Sequence, residues 1–87
     1  MIIKDSTRLL EIAKTLNPIS FKLFLFLILT YPPGIPFKLT YFEMGQWAQI
    51  KAPYQTMLAI INAGFLDKKI VGKHQCEYTL LVDLIQF

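Results

Sequence analysis

Residues 61–75 read INAGFLDKKIVGKHQ, and the change of pattern at Gly64 decides the fold. Before the glycine, apolar residues recur at the spacing of one helical face. After it, residues 65–70 are expected to form a short strand, and a turn is expected at residues 71–74; lysines lie at positions 68 and 69 in the strand and at 73 in the turn. Glycine adopts the left-handed backbone conformation that ends many helices without the steric cost of a side chain. The stretch therefore predicts a helix that ends at Gly64 and passes directly into a β-hairpin.

The first predicted helix lies within residues 1–18. Its apolar side chains recur at i, i+3, i+4 and i+7, and they are Leu9, Ile12, Ala13 and Leu16. Asp5 or Ser6 is placed to cap its start. Asn17 and Pro18 are expected to end it, because proline disfavours a helical conformation in the preceding residue.

The second predicted helix, over residues 20–30 within the segment 19–31, is apolar on nearly all sides. The segment is shorter than the roughly 20 residues that span a bilayer, so it predicts a buried central helix and no membrane anchor. A helix without a polar face must be covered on more than one side, and we expect one flank to contact a second copy of the chain. The predicted dimer interface comprises Leu9, Ile12, Phe21, Phe24, Leu25 and Ile28.

Residues 40–63 predict two further helices joined by a tight turn. Thr40 and Glu43 have the spacing of a capping box, in which each side chain accepts a hydrogen bond from the other residue's backbone amide. The side chains expected on the inner face of this third helix are Phe42 and Trp47. Pro53 then suits the first position of the fourth helix.

The composition favours a small domain with an interaction surface. The 87 residues are 54% hydrophobic and 17% charged, against about 45–50% and about 25% in average soluble domains. This apolar excess predicts a surface for self-association or for a partner. The net charge of +3 favours an anionic partner without requiring one. A single cysteine, Cys76, excludes an intrachain disulfide and suits a reducing compartment, so we expect a cytoplasmic protein.

This order of elements resembles the winged helix-turn-helix superfamily over roughly residues 20–84. The segments that carry the resemblance are Leu39–Glu43, Ile60–Leu66 and the hairpin that follows. The expected fold is therefore α+β, mainly α: one domain over residues 1–87 with about four helices and a hairpin wing at residues 65–84. A minimal strand at residues 36–39 would give the wing a third strand.

The resemblance implies that the helix from Pro53 to Ala63 enters a DNA major groove while the wing contacts the backbone or the minor groove. Within that helix, Gln55, Ala59 and Asn62 are spaced to share one exposed stripe. Glutamine and asparagine pair with adenine edges, and alanine permits close approach to a thymine methyl group. The residues placed to reach phosphates are Lys51 and Tyr54 at the helix start and Lys68, Lys69, Lys73 and His74 on the wing. The expected function is sequence-specific binding of double-stranded DNA by a small homodimeric transcriptional regulator.

Plainer interpretations stand beside these assignments. The polar stripe also suits a solvated helix face, the wing lysines suit a hairpin that must stay soluble and blunt its open edge, and Tyr54 suits a packing residue. The predicted DNA-reading helix contains no lysine or arginine, although phosphate neutralisation supplies most non-specific affinity for DNA. The alternative is a winged-helix module that binds another protein as a subunit or inhibitor of a larger assembly.

The sequence offers little for catalysis or metal binding. His74 and Cys76 lie two residues apart, but each is the only one of its type, and a zinc site generally needs four ligands, or three and a water. Neither a serine–histidine–acid set nor a glycine-rich phosphate loop is present. We therefore expect no enzyme activity, no metal, no cofactor and no small-molecule ligand.

Overall fold

The computed structural model describes residues 2–73 and 75–87. Within these residues, four helices and five strands follow one another as β1 (Ile2–Ile3), α1 (Ser6–Thr15), α2 (Pro18–Thr30), β2 (Phe37–Lys38), α3 (Tyr41–Ala48), α4 (Pro53–Asn62), β3 (Leu66–Gly72), β4 (Gln75–Leu80) and β5 (Ile85–Gln86). An antiparallel sheet has the strand order β2-β4-β3, and β1 pairs with β5. The predicted α+β class with a winged-helix-like arrangement is confirmed.

Polar side chains fix the starts of the first three helices. Asp5 accepts a hydrogen bond from the amide of Arg8, and Asn17 accepts one from the amide of Ser20, both at 2.9 Å. The predicted capping box is present, since Thr40 and Glu43 each accept a hydrogen bond from the other's amide. Asn17 and Pro18 begin α2 rather than only ending α1, because proline suits the first position of a helix.

Gly64 ends α4 as predicted. Its φ of +87° lies in the left-handed region. The amide of Phe65 donates to the carbonyl of Ile60 at 3.3 Å, which satisfies a group that the helix end leaves free. The chain then enters β3 at Leu66, so the helix-to-strand transition lies where the sequence places it.

The hydrophobic core surrounds α2, which packs against α1, α3 and α4. Leu23, Phe24 and Leu27 are completely buried, as expected for a central helix. Tyr78 of β4 is also buried and packs against the Phe37 ring with the ring centres 5.8 Å apart. One core therefore joins the helices to the three-stranded sheet.

The termini form a second small sheet that the sequence did not predict. Ile3 pairs with Ile85, and Lys4 forms a 2.8 Å ion pair with Asp83. The first residues are thus not helical, and β4 ends at Leu80 rather than at the predicted residue 84. Pairing between the two ends of the chain leaves no local sequence signal, since each strand is only two residues long.

The predicted inner face of α3 and the predicted dimer interface each differ in part from the structure. Trp47 packs against the core as predicted, but Phe42 is 72% exposed, and Met44 and Ala48 form the buried face of α3. Three residues of the predicted dimer interface, Ile12, Phe24 and Ile28, are buried within the single chain. They pack against neighbouring elements of the same fold and are therefore inaccessible to a second copy.

Candidate nucleic-acid interface

The outward face of α4 is polar at its two ends and apolar in the middle. Gln55 and Asn62 are exposed as predicted, and Ala59 is half-buried at the margin of their stripe. Leu58 lies three residues after Gln55 and four before Asn62, and it is half-buried on the same face. The sequence pattern did not identify this residue. The opposite face, with Met57 and Ile60, is buried.

The start of α4 is joined to the wing through two tyrosines and one lysine. The rings of Tyr41 and Tyr54 meet edge to face at 5.4 Å. The Nζ atom of Lys68 donates to Oη of Tyr41 at 3.1 Å and lies 5.8 Å and 5.7 Å from the ring centres of Tyr41 and Tyr54. The hydrogen bond to Tyr41 raises the pKa of Lys68, and burial opposes this shift in part. Lys68 therefore serves first as an anchor between wing and helices.

The lysines predicted to act together on the wing lie on different faces. Lys68 is opposite Tyr78 on the face of the sheet that packs on the helices. Lys69 is on the outer face, where it lies opposite Glu77 of β4. On the other neighbouring strand, β2, Lys38 also pairs in register with Glu77. Lys73 is exposed in the turn after β3. His74 lies outside the described residues.

The hairpin also exposes apolar side chains to which the sequence pattern assigned no function. Ile70 is 75% exposed, and Val71 is exposed beside it. The strand register shifts between Ile70 and Gly72, and a bulge of this kind redirects side chains near a strand end. The wing thus carries apolar as well as cationic groups.

A groove of about 910 Å³ lies on another side of α4. It is bounded by the first turn of α2 and by the turn that joins α3 to α4. The residues that line it include Gln55 and two lysines, Lys51, which is exposed, and Lys22. The sequence pattern did not identify Lys22. Gln55 therefore belongs to both the outward stripe of α4 and this groove.

The remaining polar cluster, between the start of α3 and β4, offers no evident reaction chemistry. Tyr41, Glu43, Cys76 and Tyr78 line a cavity of about 250 Å³. Burial, followed by a hydrogen bond with Tyr41, raises the pKa of Tyr78, so its side chain stays a neutral phenol at ordinary pH. Glu43 is occupied by the capping box.

Within the described part of the chain, no three His, Cys, Asp or Glu side chains are grouped so that they could hold a metal ion. Across the same residues, every helix is too short or too polar to cross a membrane. Comparisons of the chain with protein-family models, curated proteins and solved structures gave no match.

Proposed function

We propose that this protein binds double-stranded DNA sequence-specifically as a homodimer and regulates transcription. The supporting observation is the contact of Lys68 with Tyr41 and Tyr54, which fixes the base of the wing beside the start of α4. The wing and the outward stripe of α4 consequently keep a fixed relative orientation. A helix for the major groove and a ribbon for the adjacent backbone need such an arrangement.

The side chains on α4 suit base recognition better than phosphate binding. Gln55 and Asn62 each offer an amide that pairs with the N6 and N7 edge of adenine. Leu58 lies between them and presents the apolar surface that a thymine methyl group contacts. Ala59, at the margin, leaves room for close approach. An A·T-rich element in each half-site is the expected target.

Phosphate contacts would come from residues around α4. Lys51 is exposed immediately before the helix, and Tyr54 is half-exposed at its first turn. Lys69 and Lys73 are exposed on the wing. A few cations in each chain give weak binding, and a dimer doubles the number of neutralised phosphates.

The dimer would use the outer flank of α2, which we define as Leu25, Phe26, Leu29 and Thr30. These residues line a shallow apolar cleft of about 290 Å³. Of the residues expected at the interface from sequence, Leu25 belongs to this flank, and Leu9 and Phe21 are half-buried beside the core. An exposed apolar flank on a helix favours association with a matching apolar surface.

DNA binding can be measured by fluorescence anisotropy with a mixed-sequence duplex over a series of salt concentrations. The double variant Lys69→Ala/Lys73→Ala should reduce the slope of log affinity against log salt by about 0.9 for each phosphate that is no longer neutralised. Lys14→Ala, which removes an exposed charge from α1, is the control. A flat signal at low salt and high protein concentration would refute the proposal, as would an unchanged slope in the double variant.

Base recognition needs its own test, made on a duplex chosen by selection from a random library. Gln55→Ala and Asn62→Ala should each weaken binding to the selected site by about 1–3 kcal/mol, the cost of removing a bidentate pair with a base. Binding to mixed-sequence DNA should hardly change. Equal losses on both duplexes would show that these side chains do not read bases.

A protein-interaction module is the second candidate, because apolar side chains lie beside the polar ones on this surface. Phe42 is exposed near the start of α3, and Leu58 interrupts the stripe of α4. In this case Leu58→Ala and Phe42→Ala would abolish binding to a defined protein partner. The unaltered chain would not bind duplex DNA at low salt. DNA binding that survives both substitutions would argue against it.

A further inference from the structure

The groove between α2 and α4 concentrates positive charge that the sequence pattern only partly reveals. Lys22 and Lys51 line it, and no aspartate or glutamate is among its lining residues in the described part of the chain. Lys22 extends from the second turn of α2, whereas Lys51 lies in the turn before α4. Two cations from separate elements therefore face a common space without an acidic counterpart among those residues.

Two helices also begin at this groove. Asn17 and Ala52, the residues that precede α2 and α4, both line it. The amide end of a helix carries a partial positive charge and attracts anions. Asn17 caps α2, but Ala52 has no side-chain oxygen to accept from the first amides of α4. The amides of Tyr54 and Gln55 are thus left without a cap from the Ala52 side chain.

An almost completely buried serine supplies an independent indication of a ligand. Ser20 lines the groove and is only 1% exposed. Its backbone amide donates to Asn17, whereas its hydroxyl forms no hydrogen bond within the described residues. Every fully enclosed polar side-chain atom in that part of the chain has a partner. The small remaining exposure of Ser20 therefore includes its hydroxyl, which lies at the inner wall of the groove.

We propose that this groove binds phosphates of the DNA strand that borders the major groove entered by α4, with Lys22 and Lys51 as the principal ligands. This inference rests on the proposed DNA binding. Gln55 lines the groove and also belongs to the outward stripe of α4, so bases and backbone would be contacted by one continuous surface. The groove, of about 910 Å³ and open to solvent, has room for more than a single small anion.

This site explains how a helix without charged residues can serve DNA recognition. Phosphate contacts position a protein on the duplex, whereas contacts to base edges carry the specificity. Here the positioning cations lie on both sides of α4, with Lys22 and Lys51 in the groove and the wing lysines at the other side. The helix between them is then free to use neutral side chains.

The first test compares Lys22→Ala and Lys22→Gln with the control Lys14→Ala in duplex binding over a salt series. Loss of Lys22 should reduce the slope of log affinity against log salt by about 0.9 per chain. The loss of affinity should be similar for selected and mixed-sequence duplexes, as expected for a backbone contact. Lys22→Gln retains much of the apolar stem, so it separates loss of charge from loss of packing.

The second test uses inorganic pyrophosphate as a probe and backbone amide NMR as the readout. The amide signals of Tyr54 and Gln55 should move on titration in the unaltered protein and in Lys14→Ala, and should respond much less in Lys22→Ala. Both variants must first show the circular dichroism spectrum of the folded protein.

The two tests separate failure of the inference from failure of the proposed function. If DNA binds and the Lys22 variants keep the slope of the control, the groove inference is wrong and DNA binding stands. If duplex DNA is ignored but pyrophosphate moves the amides in a Lys22-dependent way, the DNA function is wrong and the groove remains an oxyanion site. The inference is wrong if the Lys22 variants keep the salt slope of the control and pyrophosphate does not move the amide signals of Tyr54 and Gln55.

Discussion

Lys68 makes contacts within the fold that the sequence pattern does not reveal. Its ammonium group donates to Tyr41 and lies beside the rings of Tyr41 and Tyr54. A phosphate contact would compete with these interactions. In the proposed function the side chain therefore orients the wing, and Lys69 and Lys73 supply the more accessible charges.

Replacement of Lys68 with methionine should test this orienting role. Methionine keeps an unbranched apolar stem but loses the hydrogen bond and both cation–π contacts, which should destabilise the fold by about 1 kcal/mol. Urea unfolding would measure this loss, with Lys69→Met as a control that should change stability little. Because the pKa of Lys68 is raised, its contribution should be complete below the unfolded-state pKa of about 10.4 and should be lost as the pH rises through the higher folded-state pKa. Equal unfolding midpoints for the two variants would contradict the role.

At the scale of elements, features set by the local sequence were predicted more accurately than features set by contacts with neighbouring elements. The capping box of Thr40 and Glu43 and the left-handed Gly64 involve only nearby backbone, so the sequence identifies them. The faces of Lys68 and Lys69 depend on strand register with β4, and a shift by one residue exchanges them. The buried side of α2 could not be predicted, because a helix that is apolar all round has no periodic contrast.

The end of α3 contains a strained residue that the sequence does not reveal. Gln49 adopts a φ of +55°, and a side chain in this left-handed conformation costs about 1–2 kcal/mol. Gln49→Gly should therefore stabilise the fold by up to about 1 kcal/mol, after the greater entropy of glycine in the unfolded chain is subtracted. Thermal unfolding should show a rise in Tm of about 4 °C or more per kcal/mol.

The matched control for this substitution is Gln46→Gly, in the interior of the same helix. Gln46 is exposed, and glycine at such a position should lower stability by about 1 kcal/mol. The two substitutions should thus move Tm in opposite directions. A fall in Tm for both would show that the side chain of Gln49 makes a favourable interaction that outweighs its backbone strain.

For the whole molecule, the small size makes dimerisation central to the proposed function. The chain measures 38 × 25 × 21 Å, so two copies side by side can place their α4 helices at a separation comparable to one DNA turn, ~34 Å. The exposed apolar flank of α2 would join them. The target site is then expected to contain two inverted half-sites whose centres are about 10 base pairs apart.

A charge placed on the flank of α2 should separate the two copies. Leu29 is 42% exposed and belongs to this flank, whereas Leu10 is 63% exposed on α1 outside it. Leu29→Glu should convert a dimer into a monomer in sedimentation velocity, because a buried unpaired carboxylate is costly, while Leu10→Glu should remain dimeric. In duplex binding, the monomer should lose about half the salt slope, since it neutralises half as many phosphates. An unaltered protein that stays monomeric at high concentration, or a Leu29→Glu variant that dimerises normally, would exclude this flank as the interface.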